Sequence, residues 1–434
     1  MSESAPSTLL TEQIESDNDA LRQQHERDFA RAAETLARRD IDANRLADRV
    51  AAFEVAVPSW ALGAGGTRFG RFPGAGEPRN VYEKLDDVAA IHALTRAAPH
   101  VSLHIPWDEP DDVDALCSHA AHQGLGFDAV NSNTFQDQPG QEHSYKFGSF
   151  SHTNAAVRQQ AIAHNKHVID LGKALGSEAI TIWLADGSNY PGQMDLRRSF
   201  DRVLEGLQVV YDYLPDGWQL YTEHKPFEPA FYATVVQDWG SSLMLANRLG
   251  EQAACLVDLG HHLPNANIEQ IVARLITAGK LGGFHFNDSK YGDDDLTTGS
   301  IQPYQLFLIF NELVDAAEAE VEAFDPDYMI DQSHNLKDPI EAFLQTIDTL
   351  QRTYAQALLV DREALYGYQD DNDVVRAEDT LKAAFRTDVS AIVAEARRRE
   401  GGALRPVQSF RASGYRRAVH EERSEGAYDP PQSL

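Results

Sequence analysis

Cysteine is nearly absent: Cys117 and Cys255 are the only two in 434 residues. That is too few for a disulfide framework, and no CxxC pair exists to hold zinc or run thiol redox chemistry, so a reducing cytoplasm is the expected compartment. Basic residues are also scarce. The 38 Lys+Arg against 67 Asp+Glu leave a formal charge of −29, which repels phosphate backbones and anionic lipid and makes nucleic acid and membrane surfaces poor partners. No apolar run approaches the ~18 residues of a membrane span, and the opening MSESAPSTLLTEQIESD has neither the basic nor the apolar region of an export signal. Also missing are GxSxG, HExxH and the Gly-Lys-Ser/Thr of a P-loop, which argues against a serine hydrolase and a helix-borne zinc protease. What is plentiful is apolar material, 42% of the chain, enough for a large core.

From about residue 9 to 39 the chain is charged and alanine-rich, with Leu21, Phe29, Ala33 and Leu36 at helical spacings, and a short second helix is expected over 42–52. From Phe53 the character changes. Short runs rich in Val, Ile and aromatics recur at 54–59, 101–105, 127–131, 179–184, 219–223, 254–258, 283–287 and 328–331, separated by helical stretches such as 85–97, 154–175, 196–213, 230–249, 268–278 and 303–323. Eight strand-helix units imply a parallel sheet closed into a (β/α)8 TIM barrel, an α/β fold. Residues 338–360 read as the last barrel helix, so the division is a helical extension over 1–52, a catalytic barrel over 53–360, and a helical extension and tail over 361–434, with a helical run at 381–399. The flanking helices suit either packing on the barrel floor or arms around a neighbouring subunit.

Catalytic groups in such barrels sit at the C-terminal strand ends. Period-two alternation puts Phe284 and Phe286 on one face and His285 and Asn287 on the other, and sets Glu223 and Lys225 on a common face. The last four strands each aim one metal-competent group into the mouth: Glu223, Asp258, His285 and Asp331. Buried carboxylates sharing one cavity cannot all ionise without a compensating charge, which a divalent cation supplies. His261, three residues past Asp258, and the cluster Asp293-Asp294-Asp295 suggest a second ion, with Asp258 able to bridge. Mixed carboxylate and imidazole ligands suit Mn²⁺, Co²⁺ or Zn²⁺ better than Ca²⁺, with Mn²⁺ favoured. Each group alone has a bland reading, as a charged turn or a core histidine; convergence on consecutive strand ends favours the functional one.

Trp60 and Trp183 are either barrel-top core or platforms for a sugar ring. His104 with Asp108 four residues on is either a carboxylate-oriented proton carrier or a packed histidine beside a helix-capping Asp. The glycine-rich segment 63–70 reads as a mobile lid carrying Phe69.

Taken together, the strings Val57-Pro58-Ser59-Trp60, Gly65-Gly66-Thr67-Arg68-Phe69, Ser102-Leu103-His104-Ile105-Pro106-Trp107-Asp108, Asp258-Leu259-Gly260-His261-His262, the run from Gly283 to Asp295, and Met329-Ile330-Asp331-Gln332-Ser333-His334-Asn335 resemble the broad-specificity bacterial L-rhamnose isomerases of the xylose-isomerase-like barrel group. The likeness runs from the N-terminal helix to Gly414-Tyr415-Arg416. It implies an aldose-ketose isomerase and a homotetramer with two divalent ions per subunit. One ion is held by Glu223, Asp258, His285 and Asp331, and a catalytic one by His261, Asp293 and Asp295. Lys225, Trp60, His104, Trp183, Phe135 and Phe69 would surround the sugar, Phe69 entering from a neighbouring subunit. The expected chemistry is a metal-assisted 1,2-hydride shift: Asp331 and Asp295 serve the O2/O1 proton, Lys225 binds the O1 end, and His104 with Asp108 assists ring opening. Metal-dependent endonucleases acting on damaged DNA use similar barrels, but the charge balance argues against one.

Overall fold

The computed structural model describes residues 6–63, 72, 74, 76–322, 324–333 and 336–423. Eight parallel strands form the expected ring. They are β1 (Val57–Pro58), β2 (His100–Ser102 and His104–Ile105), β3 (Gly126–Phe127 and Val130–Ser132), β4 (Ala179–Trp183), β5 (Gln219–Glu223), β6 (Ala253–Asp258), β7 (Leu281–Phe286) and β8 (Asp327–Ile330). Each pairs with the next in chain order. The ring closes where Ala56 bridges Met329 in parallel, its amide donating to the Tyr328 carbonyl at 2.8 Å and its carbonyl accepting from the Ile330 amide at 3.1 Å. Closure removes the unpaired edges that an open sheet would expose. The first strand is shorter than the expected 54–59, because Pro58 has no N–H for the ladder and the chain passes into a 3-10 turn at Ser59–Ala61.

The chain folds the outward faces of the strands against helices. Phe284 and Phe286 are fully buried with their rings stacked 5.2 Å apart, and Phe286 lies 5.5 Å from Phe310 of the helix Pro303–Glu318. This packing commits one face of β7 to the core and turns His285 to the barrel interior.

Most helices fall where periodicity placed them, and Val113–His122 supplies the helix of the second strand-helix unit. The expected helix over 230–249 is confined to Trp239–Leu249, whose first turn is capped by Asp238. The residues before it form an antiparallel ribbon, Ala233–Thr234 against Gly187–Ser188, joining the loops after β4 and β5. A Cβ at Gly187 would meet the Ala233 carbonyl oxygen at 2.4 Å, so only glycine permits that approach.

Among the described residues, five shorter helices lie beyond the barrel helix Pro339–Ala357: Arg362–Asp370, Val374–Phe385, Ser390–Arg399, Pro406–Ser413 and Tyr415–Arg423. The expected run at 381–399 is therefore broken between Phe385 and Ser390. The long N-terminal helix Pro6–Ala37 packs on this C-terminal set in its own chain. Buried His25 meets Glu395 at 2.7 Å, Asn18 Nδ2 donates to the Gly402 carbonyl, and Ser409 Oγ donates to Asp17.

Candidate active site

The parallel register aligns the strand ends. Trp183 lies opposite Glu223, and Asp258 opposite His285, so their side chains converge at the mouth. Donor atoms of Glu223, Asp258, His285 and Asp331 all lie within 4.8 Å of one another, and those of Asp258, His261 and Asp293 form a second such group. Asp258 is common to both. Glu223 Oε1 is 3.1 Å from His285 Nδ1 and 3.1 Å from His261 Nδ1, while His261 Nε2 is 3.4 Å from Asp293 Oδ1. Asp295, in the left-handed region at φ 49°, accepts from Ser333 Oγ at 3.1 Å and shares a hydrogen bond with Asp293.

The electrostatics follow from burial. Burial alone would push Glu223 up, but His285 and His261 outweigh it and hold its carboxyl well below the usual carboxylate range. Burial opposes a charged imidazole at His285, yet Glu223, Asp331 and Asp258 raise it to about 9. His261 is raised in the same way, chiefly by Asp258 and Asp293 against burial. Asp258 is pushed up to about 7 by burial, with Asp293, Asp331 and Glu223 adding to it. Protons on the imidazoles thus stand where a cation would otherwise neutralise the carboxylates.

Beside this cluster, Lys225 Nζ is 2.5 Å from Asp293 Oδ2 and 3.2 Å from Glu228 Oε2, and sits 4.8 Å from the centre of the Trp183 ring. An aromatic wall continues from there. Phe135 is 4.5 Å from Trp183 and 5.6 Å from His104, and Trp60 meets His104 edge-on at 5.3 Å. Trp60 Nε1 donates to Asp331 Oδ1 at 2.9 Å, tying the wall to the carboxylate cluster. Phe69 and most of the glycine-rich segment lie outside the described residues.

Residues 85–352, more than half of the chain, match the family of xylose isomerase-like TIM barrels. The chain belongs to this family. A "Probable sugar isomerase" of Rhizobium meliloti (strain 1021) is 59% identical over 415 residues, covering 96% of each chain. Another "Probable sugar isomerase", of Mesorhizobium japonicum, is 57% identical with the same coverage. Among solved structures, that of an L-ribulose 3-epimerase covers 71% of this chain and 98% of its own at a TM-score of 0.54 and 16% identity, a likeness of fold.

Within this family's barrel, the donor set fits a divalent cation. Asp258 Oδ1 accepts from Asn287 Nδ2 at 2.9 Å and from the Gly260 amide at 2.7 Å, whereas its Oδ2 is buried with no hydrogen-bond donor. A buried carboxylate oxygen without a donor is costly unless a cation completes it. Carboxylates mixed with imidazoles are hard-to-borderline ligands of the kind taken by Mn²⁺, Co²⁺ or Zn²⁺.

One expectation fails. Asp108 does not orient the His104 imidazole: it accepts from the His104 backbone amide at 2.9 Å, from Ser59 Oγ at 2.5 Å and from Lys84 Nζ at 2.5 Å. The imidazole itself makes no hydrogen bond to Asp108, and its buried Nδ1 has no partner. Burial depresses His104 to about 3, so its imidazole is neutral. Nor is Asp108 a helix cap, a role Asp112 takes for Val113–His122. Sequence reading also overlooked Trp107, whose ring stacks on His104 at 4.2 Å, and Glu228, which faces Lys225. The i, i+3 spacing of both pairs was the available signal.

Proposed function

We propose that the protein is a metal-dependent aldose-ketose isomerase with two divalent cations per subunit, Mn²⁺ foremost, acting on L-rhamnose and L-rhamnulose. The observation that carries the reading is the convergence of Glu223, Asp258, His285 and Asp331 from four consecutive strands, sharing Asp258 with His261 and Asp293, directly beside Lys225 and the aromatic wall. The similarity to two probable sugar isomerases over nearly the whole chain supports the same class.

In this reading Glu223, Asp258, His285 and Asp331 hold one cation, and Asp258, His261, Asp293 and Asp295 the other. When bound, the two supply Lewis acidity at adjacent sugar oxygens, favouring a hydride shift between C2 and C1 without a strong base. Lys225 donates to the oxygen at the C1 end. Asp331 and Asp295 orient the water that carries the proton between O2 and O1. Trp60, Trp183 and Phe135 exclude bulk water from the migrating hydride. His104, neutral and buried, serves ring opening as a hydrogen-bonding partner of a sugar hydroxyl rather than as a charged acid.

The rival is proton abstraction through an enediol with Glu223 as base. A carboxylate held well below its usual range by two imidazoles is a weak base, which favours the hydride shift. Other aldoses, among them L-lyxose, L-mannose, D-allose and D-ribose, fit the same chemistry, because an aromatic mouth discriminates modestly against a single group difference. A homotetramer in the cytoplasm belongs to the same proposal, with sedimentation analysis as its check. The function is tested by assaying a panel of aldoses with Mn²⁺, Co²⁺ and chelator. Turnover of L-rhamnose that chelator abolishes is expected. Full activity after metal removal contradicts the two-ion reading, and tight L-rhamnose binding without turnover in Mn²⁺ makes the protein a sugar-binding barrel instead.

A further inference from the structure

We infer that Asp108 and Lys84 are positioning residues for the sugar-facing wall: a buried ion pair that fixes the backbone carrying Trp60 and His104. The inference rests on the aldose-isomerase reading for its kinetic consequence, and on geometry for the rest.

Asp108 is only 2% exposed. Its Oδ2 accepts from Ser59 Oγ at the start of the turn that carries Trp60, and from the backbone amide of His104. Its Oδ1 accepts from Lys84 Nζ, which reaches in from the helix Val81–Thr95. The Asp108 amide donates back to the His104 carbonyl at 3.0 Å, closing the His104–Asp108 turn in both directions. One carboxylate therefore joins the ends of β1 and β2 to the helix between them. A buried carboxylate is tolerable only with a partner charge, which Lys84 provides. It must also be an acceptor at both oxygens: an amide at this position would turn N–H groups toward a donor.

The imidazole of His104 needs such a support. Its Nδ1 is buried without a hydrogen-bond partner, so the ring is placed by its backbone, by stacking on Trp107 and by edge-on contacts with Trp60 and Phe135. Trp60 in turn is fixed at its far end by Asp331. Loosening Ser59 and the His104 amide together would free the His104 ring and the Ser59 end of Trp60, whose far end stays held by Asp331.

The test uses the full-length protein loaded with Mn²⁺ for kinetics and with Mg²⁺, which is diamagnetic, for NMR of ¹³C-labelled histidine rings. Variants Asp108→Ala and Lys84→Met with wild-type circular dichroism are compared with wild type. Both should raise KM for L-rhamnose about tenfold with kcat changed by less than about threefold, as misplaced binding groups do. In both, the His104 ring-proton resonance should move downfield as the ring leaves the face of Trp107. An unchanged KM or an unchanged resonance in a folded variant overturns the inference. If Asp108→Ala does not fold, Lys84→Met and Ser59→Ala, which removes one of the three donors to Asp108, are held to the same criteria. If wild type converts no aldose, the functional reading fails separately, and the His104 resonance alone decides the positioning role.

Discussion

At the scale of single residues, Asp258 is the hinge of the account because it belongs to both donor groups. Asp258→Asn should therefore cost both cations, whereas Asp293→Asn should cost only one. Metal content after dialysis, counted per subunit, distinguishes the two, and equal losses would contradict a shared ligand. The proton balance gives a second expectation. In the ion-free protein His285 is raised to about 9, so near neutrality its imidazole is protonated and must lose that proton to become a ligand. The sign is fixed by this: cation affinity rises with pH and falls as pH drops below about 9, by about tenfold per unit for each proton displaced. Calorimetry in buffers of different ionisation enthalpy should show proton release on Mn²⁺ binding; proton uptake, or none, contradicts it. The convergence of Glu223, Asp258, His285 and Asp331 was legible from the sequence because alternation in a strand decides which side chains share a face. The partners of Asp108 were not, since acceptance from a backbone amide and a distant lysine leaves no periodic trace.

At the scale of elements, the terminal helix Tyr415–Arg423 is fastened by a buried cluster. Arg423 Nη1 and Nη2 donate to Asp87 at 3.0 and 2.9 Å, and Tyr415 Oη donates to Asp87 at 3.0 Å. Arg423 also donates to the Gly76 carbonyl, so the helix ties the segment after β1 to the helix Val81–Thr95. Arg423→Ala leaves Asp87 buried with Tyr415 as its remaining direct partner among these, and should cost about 3–5 kcal/mol in urea unfolding. A loss under about 1 kcal/mol would mean the helix is not held this way. Barrel strands were readable because each is a short apolar run followed by a helical period. The stretch before Trp239 was not, because an apolar sequence such as 230–238 satisfies both a helix and a ribbon, and what decides between them is the distant Gly187. The C-terminal helices were only partly readable, being short, polar and shaped by contact with the N-terminal helix.

At the scale of the whole molecule, the charge of −29 divides between a small working set and a large exterior. Five carboxylates, Glu223, Asp258, Asp293, Asp295 and Asp331, belong to the candidate metal sites. Seven more, Asp42, Asp112, Asp195, Asp238, Asp338, Asp361 and Asp373, cap helices by accepting from amides of the first turn. Most of the 67 acids serve neither purpose. Their mutual repulsion is screened by salt, and the basic complement is 29 Arg to 9 Lys, so the surface is expected to be adapted to ionic strength. The melting temperature should rise with NaCl from a low-salt starting point, and a flat profile would remove that explanation. None of the helices formed by the described residues is long and apolar enough to cross a membrane.

Hydride shift and enediol differ in where the C2 hydrogen of the aldose goes. L-Rhamnose carrying deuterium at C2, converted by the Mn²⁺-loaded protein in ordinary water, should yield L-rhamnulose with the deuterium retained at C1. Deuterium lost to solvent, or no conversion at all, would contradict the account.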